Sequence, residues 1–272
     1  MKLVRYQKQE ELRYRWPIRH AGRTGEPEIR LGWLEGEKVH ELVGEPFGES
    51  TRGKPVADVS AVTLLAPCLP GKIIGLTRNF ADRVRETGSQ PPALPAIFLK
   101  PPSTVIGPGA TIRLPPQSQR VEFGAELGVV IGRRAYQVPP EEALEYVFGY
   151  TCANDVTAQD LIEADGLWAR GNSFDTFCAL GPAIATGLDP SELLITCKVN
   201  GETRQMSSTH DMIFAVPQVV AFISSIMTLL PGDVILTGTP AGSGRLADGD
   251  AVEIEIEGIG VLKNTARLAE AD

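Results

Sequence analysis

The sequence has little of what several functional classes require. Its four cysteines, Cys68, Cys152, Cys178 and Cys197, are widely separated, which argues against zinc-type pairs and against a secreted disulfide framework. We therefore predict small buried thiols in a reducing, cytoplasmic protein. The net charge of −8 argues against nucleic acid, which needs a basic face. No apolar run reaches the roughly 20 residues of a membrane span, and the N-terminus has no apolar signal core, so we predict no membrane partner.

Glycine and proline, in contrast, are abundant. The 28 glycines and 21 prolines among 272 residues favour many turns and short strands over a helical bundle. Prolines near residues 67–71 predict a boundary between a small N-terminal domain, residues 1–66, and a main domain, residues 67–272. Two helices are predicted, over residues 139–148 and over the amphipathic residues 216–230.

The most informative stretch covers residues 120–132. Residues 127–131 are apolar and β-branched and are closed by a glycine, which is typical of a buried strand. Because side chains alternate along a strand, Glu122, Gly124 and Glu126 should share one face, with successive positions about 6.6 Å apart. Carboxylates beside a hydrophobic strand need solvent, a paired cation or a bound metal.

Other polar features allow two interpretations each. Asn154-Asp155 ends a predicted strand and fits a helix N-cap as well as a second acidic site. Arg83 and Glu86 are three residues apart, which fits a surface ion pair or a charged lid over a pocket. The glycine-rich segment 238–244 lacks the Gly-Lys-Ser/Thr ending of a phosphate loop, which argues against nucleotide binding, although its amides could hold a carboxylate.

Together these stretches resemble the fumarylacetoacetate hydrolase family. The resemblance covers about residue 70 to the end of the chain and implies an α+β fold, a mixed β-roll with a small N-terminal β-rich domain. It also implies a homodimer and a magnesium, manganese or calcium ion. The matching segments are KIIGLTRNFAD (72–82), FLKPP (98–102), ELGVVIG (126–132), GYTCANDV (149–156), SFDTFC (173–178), DMIF (211–214) and PGDVILTGTPAG (231–242).

The resemblance assigns roles to individual positions. In the family, a Glu-x-Glu pair and an Asp of an Asn-Asp motif hold the metal, and oxygen ligands suit these hard cations. The metal ligands implied here are Glu126 and Asp155, with Glu122 and Thr176 as further candidates. The catalytic residues implied are Glu86 and Arg83. The substrate contacts implied are Arg78, Asn79, Gln159, Asn172, Gly238 and Thr239.

Four pocket positions depart from the family pattern. The first metal-binding glutamate is Gly124, the lid histidine is Arg83, the active-site lysine is Asn172, and the arginine after Asn-Asp is Gln159. Because Gly124 replaces a ligand, metal binding is expected to be weakened or lost. Arginine, with a pKa above about 12, is a poor proton shuttle, which argues against a step that activates water.

The resemblance implies an enzyme with an incomplete catalytic set. The expected reaction is metal-assisted isomerisation (tautomerisation), C–C hydrolysis or decarboxylation of a small oxo-acid or hydroxy-dienoic acid, as in aromatic-compound catabolism. Two alternatives stay open at this point. The pocket could hold a carboxylate between Arg78 and Arg83 without metal, or the chain could be a catalytically silent paralogue that serves as a binding protein or non-catalytic subunit.

Overall fold

Short strands dominate the chain, as its glycine and proline content predicts. The computed structural model describes residues 1–9 and 28–269. In chain order its strands are β1 (Lys2–Lys8), β2 (Arg30–Glu35), β3 (Lys38–Gly44), β4 (Ser50–Asp58), β5 (Val62–Leu65), β6 (Ile73–Thr77), β7 (Ala96–Lys100), β8 (Val105–Ile106), β9 (Thr111–Leu114), β10 (Val121–Phe123), β11 (Ala125–Ile131), β12 (Val147–Asp155), β13 (Thr157–Ala158), β14 (Cys178–Ala185), β15 (Leu194–Val199), β16 (Glu202–Ser208), β17 (Val234–Leu236), β18 (Gly244–Arg245), β19 (Ala251–Ile256) and β20 (Gly260–Leu268).

The helices are few and short. The α-helices are α1 (Ala81–Glu86), α2 (Gln159–Asp165), α3 (Ala169–Asn172) and α4 (Val216–Ile226). Turns of 3-10 helix cover Val59–Ala61, Pro102–Thr104, Pro140–Tyr146 and Thr209–Asp211. Within the described ranges, no helix is long and apolar enough to cross a membrane.

The strands form three sheets. The largest has the order β4-β3-β2-β1-β14-β12-β11-β17-β6-β7, with β5 on β1 and β8 on β14. Most of its pairs are antiparallel, but β17 with β6 and β14 with β8 are parallel. A second sheet has the order β16-β15-β19-β20-β9, and a third, small sheet has the order β13-β10-β18. Mixed sheets with few helices agree with the expected fold class.

A single large apolar cluster joins these layers. It includes Leu127 and Val129 of β11, Ile254 of β19 and Val219 of α4, all of which are buried. Every residue of β11 is buried, which confirms the prediction of a buried strand over residues 127–131. The four cysteines are free and buried, also as predicted, and burial raises the pKa of the Cys152 thiol to about 12.

The N-terminal residues extend the large sheet. Lys2 and Leu3 of β1 pair with Ala185 and Ile184 of β14. β2 and β3 form a hairpin across a turn at residues 36–37. Part of the predicted N-terminal domain, residues 10–27, lies outside the described residues, and the division at residue 66 stays a prediction.

Both predicted helices end earlier than expected. α4 stops at Ile226 instead of residue 230, because Leu229 forms a β-bridge with Ala135. The helix predicted over residues 139–148 is a 3-10 helix, Pro140–Tyr146, because Val147 begins β12 and pairs with Ile131. In both places a non-local backbone pairing ends the helix.

Gly124 marks the point where the acidic stretch passes between two sheets. β10 before it belongs to the small sheet, and β11 after it belongs to the large one. The Asn154 Oδ1 accepts a hydrogen bond from the Gly124 N–H at 3.1 Å, and the Asp155 N–H donates to the Gly124 carbonyl at 2.9 Å. This crossing brings the end of β12 beside the acidic stretch.

Candidate active site

A cavity of about 550 Å³ opens at the junction of β10 and β11. Glu122, Gly124 and Glu126 all line it, as expected for side chains that share one face of an extended segment. The complete lining consists of Leu76, Thr77, Arg78, Arg83, Thr87, Ser89, Phe98, Glu122, Phe123, Gly124, Glu126, Asp155, Thr157, Gln159, Glu163, Trp168, Thr239 and Ser243.

Glu126 and Asp155 form the inner end of the cavity. Glu126 is only 2% exposed, and its Oε2 accepts a hydrogen bond of 2.7 Å from the Gly238 N–H. Burial, followed by the negative charge of Asp155, raises the pKa of Glu126 well above its usual range. Burial also raises the pKa of Asp155, although Lys100 opposes this effect. Two carboxylates therefore lie close enough to interact in a region that disfavours their charged forms.

Lys100 is the cation that forms an ion pair with Asp155. Its side chain is completely buried, and its Nζ lies 2.6 Å from Asp155 Oδ1. The same Nζ donates to the Val156 carbonyl and to Asn172 Oδ1, both at 2.9 Å. Lys100 was not predicted to be a site residue, although it belongs to the FLKPP segment that resembles the family. Its ion pair with Asp155 also rules out the interpretation of Asp155 as a mere helix cap, since α2 begins only at Gln159.

Glu122 lies between two arginines. Its Oε1 is 3.3 Å from Arg120 Nε, and its Oε2 is 3.9 Å from Arg83 Nη2. Arg120 also pairs with Glu163, which lines the cavity too. Glu122 is thus held by arginines at the outer part of the cavity and is spatially separate from the ion pair of Lys100.

Glu86 is held at the edge of the site. Its Oε2 is 2.5 Å from Arg83 Nη1, which is the ion pair expected from their spacing on α1. Its Oε1 accepts a hydrogen bond of 3.0 Å from the Gly242 N–H. Arg83 lines the cavity, whereas Glu86 is not among the lining residues. Two amides of segment 238–244, those of Gly238 and Gly242, thus donate to carboxylates of the protein itself, and the binding of a ligand carboxylate there stays a prediction.

Arg78 contributes a guanidinium that has no ion-pair partner among the described residues. It is exposed, lines the cavity, and has a left-handed backbone with φ of 57°. A non-glycine residue in this region is uncommon and costs about 1–3 kcal/mol, and such strain clusters at functional sites. Next to it, the Asn79 side chain is buried and bonds to the backbone of Thr237 and Phe214, so Asn79 fixes the turn instead of facing the cavity.

The remaining predicted residues divide into two groups. Gln159 and Thr239 line the cavity, and Thr239 Oγ1 donates to the Ala125 carbonyl. Asn172 is fully buried behind it, and Gly238 contributes its N–H to Glu126. Thr176 is not brought to the cavity, because its Oγ1 accepts a hydrogen bond from the Arg113 N–H of β9.

The donor set of the inner cavity is compatible with a divalent cation held by two protein ligands. Within residues 1–9 and 28–269, no group of three His, Cys, Asp or Glu residues is arranged to hold a metal. Glu126 and Asp155, however, each keep one oxygen that accepts no hydrogen bond from the described residues. Magnesium often binds through one or two carboxylates plus water and substrate oxygens. A side chain at Gly124 would bring its Cβ to 3.2 Å from the Asp155 carbonyl, so the glycine packs closely there.

Comparison with known proteins gives a consistent picture. The family model described as "Fumarylacetoacetate (FAA) hydrolase C-terminal" matches residues 72–267, and the model "Rv2993c-like, N-terminal" matches residues 19–67. The chain is 45% identical over 257 residues to Protein Rv2993c of Mycobacterium tuberculosis, which covers 89% of this chain and 96% of that protein. It is 43% identical over 252 residues to the mitochondrial oxaloacetate tautomerase FAHD2A of Bos taurus, covering 88% of this chain and 79% of that protein.

Solved structures are similar over the full length. A 2-hydroxyhepta-2,4-diene-1,7-dioate isomerase from Mycobacterium marinum superposes with a TM-score of 0.87 at 38% identity and covers 100% of both chains. An uncharacterised protein from Mycobacterium abscessus superposes with a TM-score of 0.87 at 41% identity, covering 99% of this chain and 100% of the other. The chain therefore shares its overall fold with these proteins.

Proposed function

Because this chain belongs to the fumarylacetoacetate hydrolase family, we propose that it is a tautomerase that interconverts the keto and enol forms of a small 2-oxo acid. The observation that carries the proposal is a cavity lined both by Arg78, whose guanidinium has no ion-pair partner within residues 1–9 and 28–269, and by a buried carboxylate pair, Glu126 and Asp155. The names of two relatives, a tautomerase and an isomerase, support a reaction of this class. These relationships do not favour a catalytically silent paralogue.

Arg78 is the proposed anchor for the substrate. A guanidinium binds a carboxylate through two parallel hydrogen bonds, and Arg78 has no ion pair within the described chain that would compete. Arg83 is less suited to this role, since Glu86 and Glu122 already pair with it. The cavity therefore favours an acidic substrate held at one end by Arg78.

Glu126 and Asp155 are the proposed holders of a divalent ion. When bound, such an ion supplies a Lewis acid that stabilises negative charge on the enolate oxygen of the substrate. Lys100 fixes Asp155 through their ion pair, and the Gly238 N–H fixes Glu126. These contacts hold the two carboxylates in place before any ligand arrives, which lowers the cost of organising the site.

We assign the proton transfer to Glu122 in preference to Glu86. In the keto-to-enol direction, C3 loses a proton, the C2–C3 bond becomes double, and the oxygen on C2 gains a proton. A general base must lie within hydrogen-bond reach of the proton it removes. Glu122 lines the cavity, whereas Glu86 does not, and the Glu86 carboxylate also accepts a hydrogen bond from the Gly242 N–H. Hydrolysis and decarboxylation are less well supported, because Arg83 stands where the family has a histidine that can exchange protons.

The experiment compares Glu122→Gln with Glu86→Gln in the tautomerisation of oxaloacetate, followed by the ultraviolet absorbance of the enol. Removal of a general base costs about 10²–10⁴-fold in rate, so we expect Glu122→Gln to lose at least about 100-fold in kcat. Glu86→Gln should lose less than about tenfold. The opposite order would return the acid–base role to Glu86. No turnover by the wild-type protein of any 2-oxo acid, with or without magnesium, would overturn the proposed function.

A further inference from the structure

We propose that the substrate carries an aryl group that stacks on Trp168. This inference rests on the proposed tautomerase function and names the class of acid that the same site takes. Trp168 and Phe98 both line the cavity. Their rings are stacked, with centroids 5.4 Å apart and planes at 12°. Phe98 is 8% exposed, but Trp168 is 39% exposed. A large indole is thus backed by a buried ring and still presents apolar surface to the site.

The support under Trp168 is rigid. Phe98 pairs with Gly75 across β6 and β7, and a Cβ placed on Gly75 would lie only 2.2 Å from the Phe98 ring. The phenyl ring of Phe98 therefore packs directly against the backbone of Gly75. Lys100 Nζ lies 5.8 Å from the centroid of the same ring. Phe98 has little room to withdraw, so Trp168 keeps a fixed partner.

Trp168 is also fixed to the reacting end of the cavity. The backbone N–H and the Nδ2 of Asn172 both lie 3.2 Å from the Trp168 carbonyl, to which they donate. The Oδ1 of the same asparagine accepts hydrogen bonds from Lys100 Nζ and from Thr157 Oγ1. One side chain therefore connects the backbone of Trp168 to the lysine that pairs with Asp155. The indole and the carboxylate pair keep a defined relative position.

The chemistry of the cavity distinguishes two classes of acid. Its volume of about 550 Å³ lies within the range of about 300–1,000 Å³ that is typical of pockets for larger ligands, and it exceeds the need of a four-carbon acid. Offset-stacked aromatic pairs are favoured by about 0.5–1.5 kcal/mol beyond the effect of buried area. An enol conjugated with an aryl group is planar, whereas the ketone is bent at C3. Stacking on Trp168 therefore favours the enol-like transition state of such a substrate.

The test compares phenylpyruvate with oxaloacetate in the enol–keto assay. We expect Trp168→Ala to lower the ratio of kcat/KM for phenylpyruvate to that for oxaloacetate by about tenfold, which corresponds to about 1.4 kcal/mol. Trp168→Phe should restore most of the ratio. Leu167→Ala is the matched control, because Leu167 is the neighbouring exposed apolar residue, at 67%, and does not line the cavity. It should leave the ratio unchanged.

A binding measurement separates this inference from the proposed function. In a Trp16→Phe/Trp33→Phe variant, Trp168 is the only remaining tryptophan, and phenylpyruvate should quench its fluorescence far more than oxaloacetate does. If oxaloacetate is turned over but the ratio is unaffected by Trp168→Ala, the stacking proposal is wrong and the tautomerase proposal stands. If neither acid is turned over, the tautomerase proposal is wrong. If phenylpyruvate also fails to quench the fluorescence of Trp168, the stacking proposal is wrong as well.

Discussion

Glu126 and Asp155 share a buried region, and within the part of the chain that the structure describes Lys100 is the only cation paired with either carboxylate. Gly124 adds no third carboxylate, and Glu122 is engaged by arginines. Burial is the largest cause of the raised pKa of both groups, and the repulsion from Asp155 adds to it at Glu126, whereas Lys100 opposes it. A residue pair of this kind gains stability from a bound cation or from a proton.

Replacement of Glu126 tests this electrostatic description. The raised pKa means that folded Glu126 keeps its proton above about pH 4.3, where the unfolded chain has lost it. Its contribution to stability is therefore present at low pH and is lost as the pH rises through the folded pKa. The stability of Glu126→Gln relative to wild type should increase with pH, by at most about 1.4 kcal/mol per pH unit, in chelator-treated protein.

Thermal unfolding of both proteins between pH 5 and pH 8 measures this difference directly. Carboxyl groups remote from the pair titrate alike in the two chains, so their contributions cancel. Asp155 interacts with Glu126, so the difference between the two proteins reports on the carboxylate pair. A difference in melting temperature that stays constant over this range would contradict the description of Glu126 as a group forced toward its protonated form.

At the scale of secondary structure, local sequence patterns predicted the presence of strands well, but they predicted poorly the residue at which a helix ends. The apolar, β-branched content of residues 127–131 is a local signal, and the predicted strand is found as β11. The early end of α4 depends on the bridge from Leu229 to Ala135, more than 90 positions earlier, which no local pattern reveals. The passage of the acidic stretch between two sheets at Gly124 is equally non-local.

The pairing of β6 with β7 offers a test at this scale. Gly75→Ala would place a methyl group 2.2–2.7 Å from three atoms of the Phe98 ring, which must then move. Overpacking of this kind costs about 1–3 kcal/mol, so we expect that loss in the free energy of unfolding by denaturant. Gly244→Ala is the control, because its methyl would meet only the flexible end of Arg204 at 3.3 Å and Phe123 at 3.8 Å. Equal losses in the two variants would contradict the close packing of Phe98 on β6.

At the scale of the whole molecule, the sequence identified most polar residues of the cavity but not how they are paired. Seven predicted site residues from four separate segments, Arg78, Arg83, Glu122, Glu126, Asp155, Gln159 and Thr239, line one cavity. Their positions followed from family motifs. The bonds of Lys100 to Asn172 and Val156 join residues 72 and 56 positions apart, and they depend on the tertiary arrangement of β7, β12 and α3. The predicted homodimer stays a prediction.

The most direct test is calorimetric titration of magnesium into chelator-treated protein, without and with oxalate as a mimic of the enolate. We expect magnesium to bind, and to bind more tightly when oxalate is present. Asp155→Asn removes a proposed direct ligand. Because loss of even an outer-shell partner typically costs 10–100-fold in metal affinity, we expect this variant to weaken binding by at least about 100-fold. Glu163→Gln, a cavity carboxylate paired with Arg120, should bind as wild type does. Absence of binding by the folded wild-type protein, even with oxalate, would contradict the central claim that Glu126 and Asp155 form a working two-carboxylate metal site.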